Sequence, residues 1–402
     1  MNIIKKIKKM KIAFFLSDSE YGGGLNQSKG FLNQINKLDL RDFEVVFITD
    51  NAQYKSILDE KGVQSLLFKK NVLTKVLFFI SGLKSANKYY IFNFLNPFEK
   101  FLKKNRIDLL IFSSPSFYSL YCENINYVIN IWNTEIKNYK IFNELSGKNF
   151  IYQNNIISSS VLNAYKIIVF TNKNEEDLIK YYNCPKEKIV IQNLMPSLPN
   201  VYEQYKNNTN FDEIYNSFNL NKKTKWFFYP AQFWSHKNHI YLLNAFKILK
   251  EKKIENFGLL FSGRDKGNLE YIKKIINLNK LENNIKILGF LNEKQIISLY
   301  KSCEGLIVPT YIGRSCMPLL EGIYFKKKII YGSQILDSEL KKYVTEVNLN
   351  DPNNLALTLI KSNVEKFNYN ENSYKEICSE KKFLNTYKKI IDNFNYFKKM
   401  SY

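Results

Sequence analysis

WFFYPAQFWSHKNHIYLLNAFKILKEKK, residues 226–253, passes from an unbroken apolar run through a polar loop into a segment of helical period. An apolar run without alternation, rich in aromatic and β-branched residues, is what a strand covered on both faces requires. The loop holds both histidines of the 402-residue chain, His236 and His239, on either side of Lys237 and Asn238. Strand, loop and helix in that order predict one βα unit.

The same unit recurs along the chain. KIAFFLSD (11–18), FEVVFITD (43–50), IDLLIFSS (107–114), YVINIWN (127–133), KIIVFTN (166–172) and IVIQN (189–193) precede it, and FGLLFSG (257–263), IKILG (285–289), EGLIVPT (304–310) and KIIYGS (328–333) follow. Between several of them lie helical periods such as LNQSKGFLNQINKL (25–38), NEEDLIKYY (174–182), NLEYIKKIINLNK (268–280) and NEKQIISLYKSC (292–303). A polar stretch, residues 193–225, interrupts the alternation once. The expected fold is therefore α/β: two doubly wound Rossmann-like domains, 1–195 and 225–375, joined by a linker at 196–224. Residues 376–402 read as a C-terminal helix packing late against one or both domains.

The apolar fraction of 45% and aromatic fraction of 15% are ample for two packed cores. Five scattered cysteines, with no CxxC pair, exclude a disulfide framework or a zinc knuckle and fit a reducing cytoplasm. No stretch approaches the roughly 20 apolar residues of a membrane-spanning helix. The formal charge of +22 suggests an anionic partner, yet only Arg41, Arg106, Arg264 and Arg314 are arginine, and the lysines are dispersed. Dispersed lysine with no nucleic-acid-reading module argues against a nucleic-acid partner. Two local patterns remain: the leader Ile3 to Met10, and NVLTKVLFFISGLKSANKYY (71–90), where apolar residues and lysines are interleaved. Both are suited to the anionic inner face of a membrane, and equally to a frayed terminus and a core-facing helix.

In open α/β sheets, ligands bind beyond the carboxyl ends of the strands, so the site is expected in the cleft between the domains. Gly22, Gly23 and Gly24 precede a helix there and allow close backbone approach to a ligand, but without GxGxxG spacing or a Walker lysine they read equally as a plain flexible turn. In PTYIGRSCMPLLEG (309–322), Pro318 suits a first helical turn and Glu321 falls one turn in, either facing a ligand or complementing the helix dipole. Lys237, at the start of a helix after a strand, can reach a diphosphate and neutralise a departing nucleotide. The histidines have no third metal-ligating partner and read as shaping the loop; no metal and no cofactor are expected.

YPAQFWSHKNH (229–239), LLFSGRDKGNLEYI (259–272), ILGFLNEKQIISLYKSCEGLIVPT (287–310) and PLLEG (318–322) together resemble the family 4, group 1 glycosyltransferases of the GT-B fold, in the bacterial branch making surface polysaccharides such as O-antigen, lipopolysaccharide and capsule. The resemblance is weaker in the first domain, where it rests on the glycine loop, on NIWNTEIKNYKIFNEL (130–145) and on AYKIIVFTNKNEEDLIKYY (164–182). It implies a UDP-, GDP- or dTDP-linked sugar donor, retention of anomeric configuration, no required metal, and a lipid-linked or oligosaccharide acceptor. The setting implied is cytoplasmic, at or near the inner membrane face. It further implies that Lys237 and Glu321 are the catalytic pair, with Gln232, Gly289, Phe290, Gly313, Met317 and Leu320 around the donor and Trp132 and Asn133 on the acceptor side. Gln232 stands where many members have a phosphate-binding arginine, and Gly313 where the first acid of a glutamate pair usually lies. Trp132 and Asn133 fall where many have His-Asp or Trp-Asp. Arg264 and Arg314, two of only four arginines, lie in loops of the cleft and are added to the donor site on that ground: either could supply the missing cation through a bidentate contact, or SGRDKGN around Arg264 is a plain polar loop. An inactive nucleotide-sugar binder and a basic nucleic-acid binder are the competing readings.

Overall fold

The computed structural model describes residues 9–16, 23–81, 96–206, 213–332, 334–361 and 372–400. The first sheet contains β1 (Lys11–Phe15), β2 (Glu44–Thr49), β3 (Ser65–Leu67), β4 (Leu109–Phe112), β5 (Tyr127–Asn130), β6 (Lys166–Val169) and β7 (Ile189–Ile191) in the order 3-2-1-4-5-6-7. The second contains β8 (Lys225–Pro230), β9 (Phe257–Ser262), β10 (Ile285–Ile287), β11 (Gly305–Val308), β12 (Lys328–Gly332) and β13 (Thr345–Val347) in the order 10-9-8-11-12-13. Every pairing is parallel. In each sheet the strand order reverses beside the first strand of the domain, β1 or β8, which opens a crevice at the carboxyl edge.

The apolar runs form strands because both faces of each sheet are covered. Leu109, Leu110, Ile111 and Phe112 are all fully buried, as are Trp226, Phe227, Phe228 and Tyr229 within 1%. Burial on both faces demands apolar residues without alternation, as the sequence shows. Two strands were not foreseen, β3 and β13. Each is a three-residue edge strand without a compact apolar run.

Of the polar stretch, residues 193–206 and 213–225 pack as part of the crossover and contain helices Leu198–Tyr205 and Glu213–Ser217. Leu194, Met195, Leu198, Ile214 and Leu220 are buried. Gly30, in helix Gly23–Ile35, makes the close approach possible: a Cβ there would lie 2.1 Å from Met195 O. After helix Ser373–Ile377, whose Tyr374 stacks edge-on against Tyr324 of the second domain, the chain returns to the first. Helix Glu380–Met400 covers the first sheet's helical layer: Tyr387 meets Phe31 at 5.4 Å and donates its hydroxyl to Asn130 Oδ1 at 3.0 Å. Lys398 pairs with Asp108 at 2.5 Å. The final helix thus straps the second domain to the first, burying Phe383, Tyr387, Ile390, Ile391 and Phe394.

Candidate active site

The carboxyl edges of the two sheets face each other, and the loops leaving them meet. From the second domain come residues 231–238 after β8, 263–268 after β9, 288–292 after β10 and 309–316 after β11. From the first come Ile131 to Glu135 after β5 and Phe170 to Asp177 after β6.

Lys237 ends a short 3-10 turn, Ser235–Lys237, and Asn238 takes the left-handed conformation, φ 56°, before helix His239–Glu251 begins. The turn is pinned because Tyr229 OH donates to Lys237 O at 2.8 Å. Lys237 is half-buried at the cleft, its ammonium 3.5 Å from Thr310 Oγ1 and 3.4 Å from Ile312 O. Those are long for charge-assisted hydrogen bonds. Burial pulls its pKa down to about 8, opposed mainly by the nearby negative charge of Glu135. Gly313, at φ 118°, passes beside it: a Cβ there would sit 3.5 Å from Nζ.

Glu321 lies in helix Met317–Tyr324, which starts after Cys316 at φ 51° and carries Pro318 in its first turn. Its Oε2 accepts from Tyr300 OH at 2.6 Å, whereas the buried Oε1 has no partner. Burial raises its pKa to about 7. A carboxylate half-satisfied in this way is suited to a ligand hydroxyl.

The two histidines are structural in arrangement. His236 Nδ1 faces Glu144 Oε1 at 2.7 Å, and its backbone N donates to the same oxygen at 2.9 Å. Burial, reinforced by the Lys237 charge, lowers the His236 pKa to about 4, although Glu144 opposes this. His239 is wholly buried among Tyr229, Phe233 and Phe261, each ring 5.0 Å away, with neither ring nitrogen bonded. Its pKa falls to about 3, chiefly by burial. Both folded-state values lie below the unfolded value near 6.5, so the unfolded chain takes up protons first as pH falls. Their stability contribution is complete above about pH 6.5 and is lost as pH falls toward the folded values. His239→Phe keeps the aromatic packing and removes two unpartnered nitrogens. Its Tm at pH 7 should equal or exceed that of the wild type, and its loss of Tm between pH 7 and 4 should be smaller, as calorimetric scans across pH would record.

Of the other expected site residues, Gln232 is half-buried and Arg264 stacks its guanidinium on Phe290, 4.5 Å from the ring centre. Phe290 is 53% exposed beside Gly289, whose O accepts from Gly263 N at 2.9 Å. Met317 and Leu320 are buried in the first turn of the Glu321 helix. Trp132 and Asn133 are half-buried on the first-domain side, and Trp132 Nε1 is buried without a partner. Gly23 and Gly24 open the helix Gly23–Ile35 directly, whereas Gly22 lies outside the described residues, as do the leader through residue 8 and residues 82–90. Arg314 points into the first domain. Its Nη1 donates to Asp177 Oδ2 at 2.5 Å and to Lys173 O at 2.6 Å.

Three first-domain acids were missed by sequence reasoning: Glu135, Glu144 and Asp177. Glu135, fully buried, accepts from Gly313 N at 2.9 Å and from Thr134 N at 3.0 Å. Each of these acids contacts a second-domain loop, and Asp337 of the second domain returns the contact by accepting from Asn172 N at 2.7 Å. Nothing local marks them, because they read as ordinary polar residues of turns and helices. Among the described residues, no three His, Cys, Asp or Glu side chains are grouped to hold a metal ion. No helix among them is long and apolar enough to cross a membrane.

Residues 210–348 match the model of the glycosyl transferases group 1 family. A capsular polysaccharide biosynthesis glycosyltransferase, CapH of Staphylococcus aureus, is 26% identical over 258 residues, covering 63% of this chain and 67% of that protein. Among solved structures, a glycosyltransferase from Rickettsia africae superimposes with a TM-score of 0.64 at 18% identity, over 96% of this chain and 99% of its own. Anabaena HepE, solved in complex with UDP and glucose, superimposes with a TM-score of 0.67 at 12% identity, over 96% and 100%. Two doubly wound domains with facing carboxyl edges, joined by a packed crossover and strapped by the last helix, thus give this chain the GT-B fold, and its second domain is similar to the group 1 glycosyltransferase family.

Proposed function

We propose that the chain is a retaining glycosyltransferase that moves a sugar from a UDP-, GDP- or dTDP-linked donor to a lipid-linked or oligosaccharide acceptor in surface-polysaccharide synthesis, capsule included. The observation that carries this reading is the Lys237 ammonium, half-buried where two carboxyl edges meet and held, among the described residues, by long contacts. A cation left so poorly satisfied gains most when charge develops on a leaving diphosphate. In the reaction the bond from the anomeric carbon to the diphosphate oxygen breaks. The acceptor oxygen bonds that carbon on the same face, and its proton passes to the diphosphate. No protein base is required, so the chain's contribution is positioning and charge stabilisation.

Lys237 neutralises the leaving group beside Gly313, whose lack of a side chain leaves room next to Nζ, and Glu321 Oε1 takes a hydroxyl of the nucleotide. Gln232, Arg264, Gly289, Phe290, Arg314, Met317 and Leu320 surround the donor; Trp132 and Asn133 stand on the acceptor side. CapH by name, and HepE through its bound UDP and glucose, support the donor class and the polysaccharide setting. All five cysteines are free and buried, which supports a reducing, cytoplasmic location.

The test is a thermal-shift screen against UDP, GDP, dTDP and ADP, followed by NMR of the product formed from the matching sugar nucleotide. One nucleotide at 100 times its Kd should stabilise the native state by about 2.7 kcal/mol. The product should keep the donor's anomeric configuration, and turnover should persist in EDTA. A nucleotide that binds without transfer or hydrolysis would mark an inactive binder. Activity lost in EDTA and restored by Mg²⁺ would overturn the metal-free mechanism.

A further inference from the structure

We propose that helix Val72–Ser81 docks this protein on an anionic lipid bilayer, at the rim of the cleft where a lipid-linked acceptor would arrive. Asn71 Oδ1 caps the helix by accepting from Thr74 N at 2.7 Å. Thr74 and Phe78 are buried, and the Phe78 ring lies 4.7 Å from Tyr121 and 5.7 Å from Phe117 in the first domain. On the other side Val72 is 78% exposed, Leu73 64%, Val76 47% and Phe79 73%. At about 100° per residue those four positions share one stripe of roughly 120°, with Thr74 and Phe78 on the opposite side. A water-facing helix puts charged residues there, whereas four large apolar side chains in one stripe fit an interface with acyl chains.

Charge selects the partner. Residues 69–104 contain eight lysines and a single acid, Glu99. That acid is buried and accepts from Asn124 N at 2.6 Å. Lys69 and Lys75 are exposed on and beside the helix, and Lys100 and Lys104 on the neighbouring helix Pro97–Lys104 that packs against it. An apolar stripe set among lysines is complementary to anionic headgroups over an apolar interior. The helix also follows the carboxyl end of edge strand β3, so Val72 and Leu73 stand on the same edge of the sheet as the cleft. Docking there would present the cleft to the membrane. That last step rests on the transferase reading, whereas docking itself does not.

Full-length protein is sedimented with phosphatidylcholine vesicles, with and without phosphatidylglycerol. Wild type should pellet with the anionic vesicles and much less with the neutral ones. Leu73→Ser with Phe79→Ser should lower the anionic partition coefficient roughly 100-fold, and Lys69→Gln with Lys75→Gln roughly ten-fold. All four side chains are exposed, so melting curves should match the wild type. Unchanged pelleting of the Ser variant would overturn the proposal, as would binding abolished only by deleting residues 1–8. A dimer that dissociates in the Ser variant, with no vesicle binding, would assign the stripe to a second copy of the chain instead. Transfer to a water-soluble acceptor should survive in the Ser variant. Absence of transfer in the wild type with vesicle binding intact would refute the transferase reading and leave docking standing.

Discussion

Lys237→Ala should lower kcat/KM by about 10²- to 10³-fold while leaving Tm unchanged or higher. The two expectations have one cause. A partly desolvated ammonium costs stability unless its donors are matched, and the oxygens of Thr310 and Ile312 are 3.5 and 3.4 Å away. Removing the group relieves that cost in the free protein and forfeits the charge only when a diphosphate departs. The pH profile gives a second reading. With its pKa pulled down to about 8, the lysine loses its proton above that pH, so wild-type kcat/KM should decline through about pH 8 toward the alkaline side. Steady-state kinetics across pH, with calorimetry of both proteins, would check this. A near-wild-type kcat/KM in the alanine variant would remove Lys237 from the mechanism.

Arg314→Ala should destabilise the protein by about 3–5 kcal/mol, the typical loss when one partner of a buried ion pair is removed. Arg314 and Asp177 side chains are 11% and 9% exposed, and their 2.5 Å contact crosses between the domains. Burial raises the Asp177 pKa and the arginine charge pulls it back, so without Arg314 the carboxylate is left desolvated without that cation, held by the Thr134 hydroxyl at 2.9 Å. Arg314→Leu combined with Asp177→Leu should recover most of the loss, because replacing both members with apolar groups is often neutral. Denaturant titrations of the single and double variants would measure the coupling, and additive effects would show that the pair does not hold the domains together. For Arg314 to meet a phosphate, as its place in a cleft loop predicts from the sequence, this interdomain contact must open. Arg314→Lys would then weaken nucleotide diphosphate binding by about 1–3 kcal/mol, and Gln232→Arg would restore part of it. Unchanged affinity beside a lowered Tm would confine Arg314 to the interdomain contact.

The strands beginning at Lys11, Glu44, Leu109, Tyr127, Lys166, Ile189, Lys225, Phe257, Ile285, Gly305 and Lys328 were legible in the sequence because coverage of both faces of a sheet selects a local, continuous apolar run. The loops around Lys237 and Glu321 followed, since parallel topology puts such loops at one edge. Edge strands Ser65–Leu67 and Thr345–Val347 were not legible, because neither is a continuous buried apolar run: the first is only partly buried throughout, and the second carries an exposed glutamate between Thr345 and Val347. Only the tertiary structure brought Glu135 to Gly313, Glu144 to His236 and Asp177 to Arg314. Those contacts join residues 92 to 178 positions apart. Hydrophobic periodicity records which face of an element is buried. It carries no trace of which polar group on another domain a buried carboxylate will meet, because that choice is made by the packing of whole domains.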